Sequence, residues 1–223
     1  VDVLSSDEFR NVITNIGDAA VTARLGSDNT DWQKEIYNKS FARDYNFSMS
    51  GSIWNMPIRA SVGTTTQGGI LKDDSFDRLT GSISMSPSFF NQSLRLGINT
   101  RIMNTDNNFA NRGAIGSSLR FDPTKPIYDS KSPYGGYYTW LGSDGAKLAL
   151  SPANPMALLN LSEDKSEVER IIANVKTDWD TPIDGLTATI NFGYDESDGI
   201  GFTTTDSRMP VDSEGFNLSL IHI

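Results

Sequence analysis

The tightest constraint on this chain is a period of two that recurs six times. In the stretch from Ser40 to Gly51, Phe41, Tyr45, Phe47 and Met49 share one parity, while Asp44, Asn46, Ser48 and Ser50 take the other. Successive side chains of a strand point to opposite faces, so this pattern predicts a strand with one apolar and one polar face. Similar segments are read at about 58–66, 78–86, 93–102, 168–178 and 186–194. Ten residues at about 3.3 Å each are long enough to cross a bilayer at a tilt.

The connections between these segments run short, long, short, very long, short, and the last strand again leads into a long polar stretch. Brief turns at one end and long loops at the other are the signature of a transmembrane β-barrel. By that rule the first strand descends from outside, because the link after it through Trp54, Asn55 and Pro57 is short. The expected fold class is therefore all-β: antiparallel strands of a partial transmembrane barrel, about six of them, carrying long extracellular loops. The alternative is a secreted soluble β-sandwich that binds glycans, burying its apolar parity against a second sheet.

Composition narrows the function. Hydrophobic residues are 37% of the 223, lean for a soluble core but enough for strands that are apolar on one face only. A net charge of −9, with no Lys/Arg cluster, argues against a nucleic-acid partner. There are no cysteines, which removes thiol nucleophiles and thiolate metal sites. No run of 18 apolar residues offers a helical span, which leaves a barrel open. No Walker loop, GxGxxG, HExxH or GxSxG occurs, and an enzyme is rejected. No cofactor is expected.

The chain starts at Val1 without a start methionine or signal peptide and reads as an excerpt. Leu218 to Ile223 matches one translated frame of a transposon mosaic-end sequencing adapter. Residues 218–223 are read as such an artefact, which takes His222, the single histidine, out of any natural site. The alternative is the start of another strand. Residues 1–39 are read as an extracellular connecting segment with a short helix near Ser6–Ile13, capped by Ser5 or Ser6 and stopped at Gly17. Residues 40–217 are the partial barrel. Between its fourth and fifth strands, a short helix is expected within Ala110–Phe121, and Asn154-Pro155 reads as a cap followed by proline at the first helical position.

Several stretches resemble the SusC/RagA group of TonB-linked outer-membrane transporters. They include Asp2–Arg10, Asn29–Ile36, Tyr45–Gly51, Arg59–Gly63 with Gly69-Ile70, Asp122–Asp129, Tyr134–Tyr137 and Asn154–Leu159. The resemblance runs in order from about residue 2 to about 205. It implies a plugged barrel of about 22 strands in the bacterial outer membrane. It also implies import of oligosaccharides or peptides, a SusD-like surface lipoprotein as partner, and energy from the TonB complex. The signal peptide, TonB box, plug and most of the barrel would lie outside these residues.

On that reading the aromatic loop Tyr128, Tyr134, Tyr137, Tyr138 and Trp140 is the candidate for substrate contact, because aromatic faces stack on sugar rings or grip peptide side chains. Its plainer role is packing against neighbouring loops or the lipoprotein. Lumen-facing candidates by parity are Asp44, Asn46, Ser48, Arg95, Asn99, Asn174, Lys176 and Asn191. Phe41, Trp54, Phe89, Phe90, Trp179 and Tyr194 fit interfacial girdles. Arg43 shares the apolar parity of its strand and must sit near the outer rim, where it reaches head groups. Asp195 and Asp198 fall in an expected polar loop after the sixth strand and are weak calcium candidates at most, a solvated loop being the simpler account. Asn-x-Ser triplets at Asn38, Asn46, Asn91 and Asn160 are read as chance.

Overall fold

The computed structural model describes residues 1–54, 56–210 and, as backbone, 218–222. Six long strands form one antiparallel meander: β1 (Ala42–Ile53), β2 (Met56–Gly68), β3 (Ser75–Met85), β5 (Leu94–Asn108), β6 (Ser162–Asp180) and β7 (Thr187–Thr205). A two-residue strand, β4 (Ser88–Phe89), pairs with β5 inside the short turn, and β8 (Leu218–His222) pairs with β7. The sheet is open, with β1 and β8 at its edges.

The register turns six local alternations into one two-faced surface. Met49, Ala60, Ile83, Thr100, Ala173 and Tyr194 lie in one row across the strands. The next row is Gly51, Ile58, Met85, Ile98, Val175 and Phe192, without a polar side chain. A slip of one residue anywhere would send these side chains to the opposite face, so the apolar face itself specifies the register. On β5 the apolar positions run from Leu94 to Ile102. That is roughly 27 Å along the strand, or about 20 Å of height at a 35–45° tilt, close to a membrane barrel's apolar band. Beyond it, on the same face, comes a row holding Arg43, Asp77, Asp106 and Glu167.

Three strands outrun the expectation. β5 continues to Asn108, β6 begins at Ser162, and β7 runs on to Thr205. The sequence reading ended these strands where the apolar alternation stops, and took the residues after Asp195 as a loop. In the structure Asp195–Thr205 is strand instead, paired residue by residue with Ser162–Ile172. Backbone hydrogen bonds carry a ladder on after its faces turn polar, as they do where strands project into water. Residues 211–217, read as the end of the barrel segment, lie outside the described residues, as do Asn55 and Ile223.

The buried apolar side chains sit elsewhere. Trp32, Ile36, Leu71, Ala114, Phe121, Tyr137, Met156, Ala157, Leu158, Leu159, Leu161 and Met209 form one cluster. None belongs to a strand. They come from the segments at the long-loop end of the sheet, among them the helices α3 (Trp32–Ile36), α4 (Gly113–Ser118) and α5 (Pro155–Asn160), whereas α1 (Ser6–Ile16) and α2 (Ala19–Thr22) add none of them. These segments build a compact cap.

Local chemistry sets the helix ends. Ser5 caps α1 through a reciprocal capping box with Glu8, and Gly17 ends it. The Asn154 side chain accepts from the Met156 and Ala157 amides at the start of α5, with Pro155 in its first turn. Helices α2 and α3, each capped by an aspartate, Asp18 and Asp31, were not foreseen.

Candidate functional site

Two surfaces carry what this chain can do: the polar face of the sheet and the cap. The eight residues predicted to face a lumen all fall on the polar face, because the observed register keeps their parity together across β1, β5, β6 and β7. Many are engaged sideways rather than pointing free. Asp44 accepts from the Thr65 hydroxyl at 2.7 Å, Asn99 from Ser84 at 2.8 Å, and Asn191 from the Asn174 amide at 2.7 Å. Lys176 pairs with Asp178 at 2.9 Å, while Arg95 holds Asp180 through two hydrogen bonds of 2.6 and 3.0 Å.

A second bidentate pair, Arg170 with Asp195 at 2.8 and 2.5 Å, was missed by sequence reasoning. Its signal was the strand's parity, which a loop assignment beyond residue 194 concealed. Each cross-strand link ties neighbouring strands through the side chains as well as the backbone. Together they give a hydroxyl- and amide-rich surface on which Arg95, Lys176 and Arg170 are matched in place by Asp180, Asp178 and Asp195.

Asp195 and Asp198 sit on β7, so the loop imagined for a calcium ion is a strand. The carboxylate of Asp195 is taken up by Arg170, and the described residues bring no three acidic or histidine side chains together.

The aromatic loop has moved mostly inward. Tyr137 is buried, and its hydroxyl accepts from the Asn160 amide at 2.8 Å. The Tyr134 hydroxyl accepts from the Lys147 backbone at 2.8 Å. Tyr138 stacks edge-on between Phe121 (6.4 Å) and Trp140 (5.7 Å). The buried Lys125 places its ammonium 5.3 Å above Tyr138 and 4.7 Å above Trp140, and donates to the Arg24 carbonyl at 2.6 Å. Burial, with Asp122 and Asp129 nearby, pushes the Tyr138 phenol up to about 12. Only Tyr128, 60% exposed and stacked at 5.3 Å on Tyr137, offers an open ring face among the five.

The residues that organise this cap are ones a site search passes over. The Gly26 amide donates to the Thr124 hydroxyl, and the Asp28 and Thr30 amides to the Thr124 and Pro123 carbonyls. The Thr30 hydroxyl donates to the Lys125 carbonyl and the Trp32 indole to that of Asp122. A methyl group on Gly26 would lie 1.9 Å from the Thr124 carbonyl oxygen, so the two segments touch only because that position is glycine. Asn29–Ile36 and Asp122–Asp129, 90 residues apart in sequence, are thus the two sides of one seam.

The expected girdle aromatics divide by position. Trp54, Phe89, Phe90 and Trp179 are exposed at the short-turn end, and Phe41 at the long-loop end. Tyr194 lies within the apolar face, its hydroxyl donating to Glu196.

This chain is 37% identical over 191 residues to the TonB-dependent receptor SusC of Bacteroides thetaiotaomicron. It is 25% identical over 205 residues to the TonB-dependent receptor P3 of Formosa agariphila. These alignments take in 80% and 87% of the chain but 19% of each relative, so the chain spans about a fifth of their length. Among solved structures, the RagAB peptide transporter superposes with a TM-score of 0.63 at 19% identity, over 92% of this chain and 24% of that one. The RagAB peptide importer in its closed-closed state gives 0.59 at 18% identity, with the same two coverages. No protein-family profile matches.

Proposed function

This chain belongs to the SusC/RagA-type TonB-dependent receptors, and from that premise we propose that its sheet is a stretch of wall in an outer-membrane importer of oligosaccharides or peptides. The apolar face meets lipid, and the polar face meets the lumen or the plug within it. The cap stands on the extracellular side, made by residues 1–39 with the long β5–β6 connection. A SusD-like surface lipoprotein closes the barrel from outside, and the TonB complex supplies energy through the plug. The relatives are transporters and receptors, and the chain is not an enzyme.

One observation carries this reading. Leu79, Ile83, Ile102 and Val175 lie on the coherent apolar face, on inner strands with a neighbour on either side, and remain 37–56% exposed. A soluble sandwich would have to bury that face. Instead, the burial happens in the cap, away from the sheet.

These 223 residues hold no cysteine, so single-cysteine labelling tests the proposal in a receptor whose remaining sequence is made cysteine-free. In the full-length receptor in its membrane, cysteines at Asn99, Asn174 and Asn191 should react with a water-soluble maleimide once the plug is displaced. Those at Ile98, Val175 and Phe192 should react only with a lipid-soluble reagent. Equal labelling of both sets by the water-soluble reagent would sink the wall assignment.

A further inference from the structure

The cap leaves one apolar surface uncovered. Helix α1 presents Phe9, Val12, Ile13 and Ile16 at spacings of three and four, which is one continuous stripe. Its single buried residue is the polar Ser6. Ile16 is 81% exposed, and Val12 and Val21 are exposed as well. A cleft of about 690 Å³ opens between this stripe, α2 and the 148–152 segment, where Leu150 stands fully exposed. Exposed apolar surface gathered in this way on a folded protein marks a site of interaction.

The charges specify what fills it. Arg24 and Arg120 both line the cleft and are exposed, and among the described residues no carboxylate forms an ion pair with either. The carboxylate in the lining, Asp122, is turned instead toward the Thr124 amide and hydroxyl. In a chain of net charge −9, two guanidinium groups beside an apolar cleft are complementary to a segment that brings its own acids. We propose that this cleft seats an apolar segment of the surface lipoprotein, flanked by carboxylates that meet Arg24 and Arg120. The inference rests on the partnership and the extracellular cap proposed above.

The test uses the tagged full-length receptor co-expressed with its lipoprotein. Two variants change exposed side chains only: Leu150→Glu, and the double reversal Arg24→Glu with Arg120→Glu. Retention of the lipoprotein should fall at least about tenfold in each, the double variant more steeply at low salt. The receptor's own heat-modifiable barrel should be unchanged. Wild-type retention in both variants overturns the proposal. A drop in the lone receptor's thermal stability also overturns it, since another loop of the receptor would then cover the cleft. So does loss of bound lipopolysaccharide with the lipoprotein retained. If the unmodified receptor never holds the lipoprotein, the partnership itself fails, and this assignment with it.

Discussion

The cap and the sheet obey opposite rules within one chain. In the cap, apolar side chains turn inward: Ile36, Ala114 and Ala157 are 0% exposed, and Leu159 is 1%. In the sheet they turn outward, and on the inner strands Leu79 and Ile102 are 56% and 55% exposed. The hydrophobic effect acts on both, so the difference lies in the solvent each meets. A cap in water stabilises itself by closing an apolar interior. A sheet facing hydrocarbon gains nothing by hiding its apolar face and must instead satisfy every backbone polar group, which its ladders do everywhere except at the open edges. Aligning the two faces of the sheet therefore says more about its environment than any single residue can.

The largest effects should come from breaking the cap's interior. Trp32→Ala removes a 3% exposed indole packed 4.6 Å edge-on against Phe121, together with its hydrogen bond to Asp122. A loss of about 3–5 kcal/mol is expected, read as faster hydrogen exchange of cap amides while the strand amides stay protected. If strand and cap amides lost protection together, the two regions would be one cooperative unit and the contrast would fail.

In the sheet, two adjacent positions sharpen the comparison. Ile190→Arg on the apolar face should cost about 2–4 kcal/mol of barrel stability, whereas Asn191→Arg on the polar face should cost little. Urea titration of the reconstituted receptor separates them, and equal costs would contradict the assigned faces. Between these and the weakest effects stands Asn154→Ala. Asn154 is fully buried; it accepts from two α5 amides and donates to the Ile127 and Tyr138 carbonyls at 2.9 and 3.1 Å. Leaving those groups unpaired should cost about 1–3 kcal/mol, read in the same exchange experiment as lost protection at the start of α5.

The sheet was far more legible in the sequence than the cap. Alternation names each strand's faces without knowledge of its partners, and the eight lumen candidates needed only parity. It could not mark where β6 begins or where β5 and β7 end, because once both faces meet water no side-chain pattern distinguishes strand from loop. Ser5, Gly17 and Asn154 were readable as helix ends because capping is local. The roles of Gly26, Thr124 and Lys125 were not, since each depends on a segment about 100 residues away. The aromatic cluster shows the same limit: Tyr137 and Tyr138 look alike to a reader of the sequence whether they face a ligand or a neighbouring ring.

The smallest effects pit two parts of the cap against each other through pH. Glu8 is hydrogen-bonded to the Ser5 hydroxyl and amide, which holds its carboxyl below the usual carboxylate range. A depressed folded-state value gives a contribution present above the unfolded value, and it is lost as pH falls through the folded one. Acid should therefore fray α1 first and loosen the wall it gives to the apolar cleft. Tyr138 has the opposite sign. Its phenol is raised from 10.0 to about 12, so its contribution is complete below pH 10 and lost as pH climbs toward 12. Tyrosinate absorbance should then rise late, in step with loosening of the Phe121–Tyr138–Trp140 stack. Amide exchange across the cap at acid and alkaline pH should map the two losses to different ends, α1 in acid and the aromatic stack in alkali. A single pH limb that released both together would mean that α1 is held by the aromatic core rather than by its own cap.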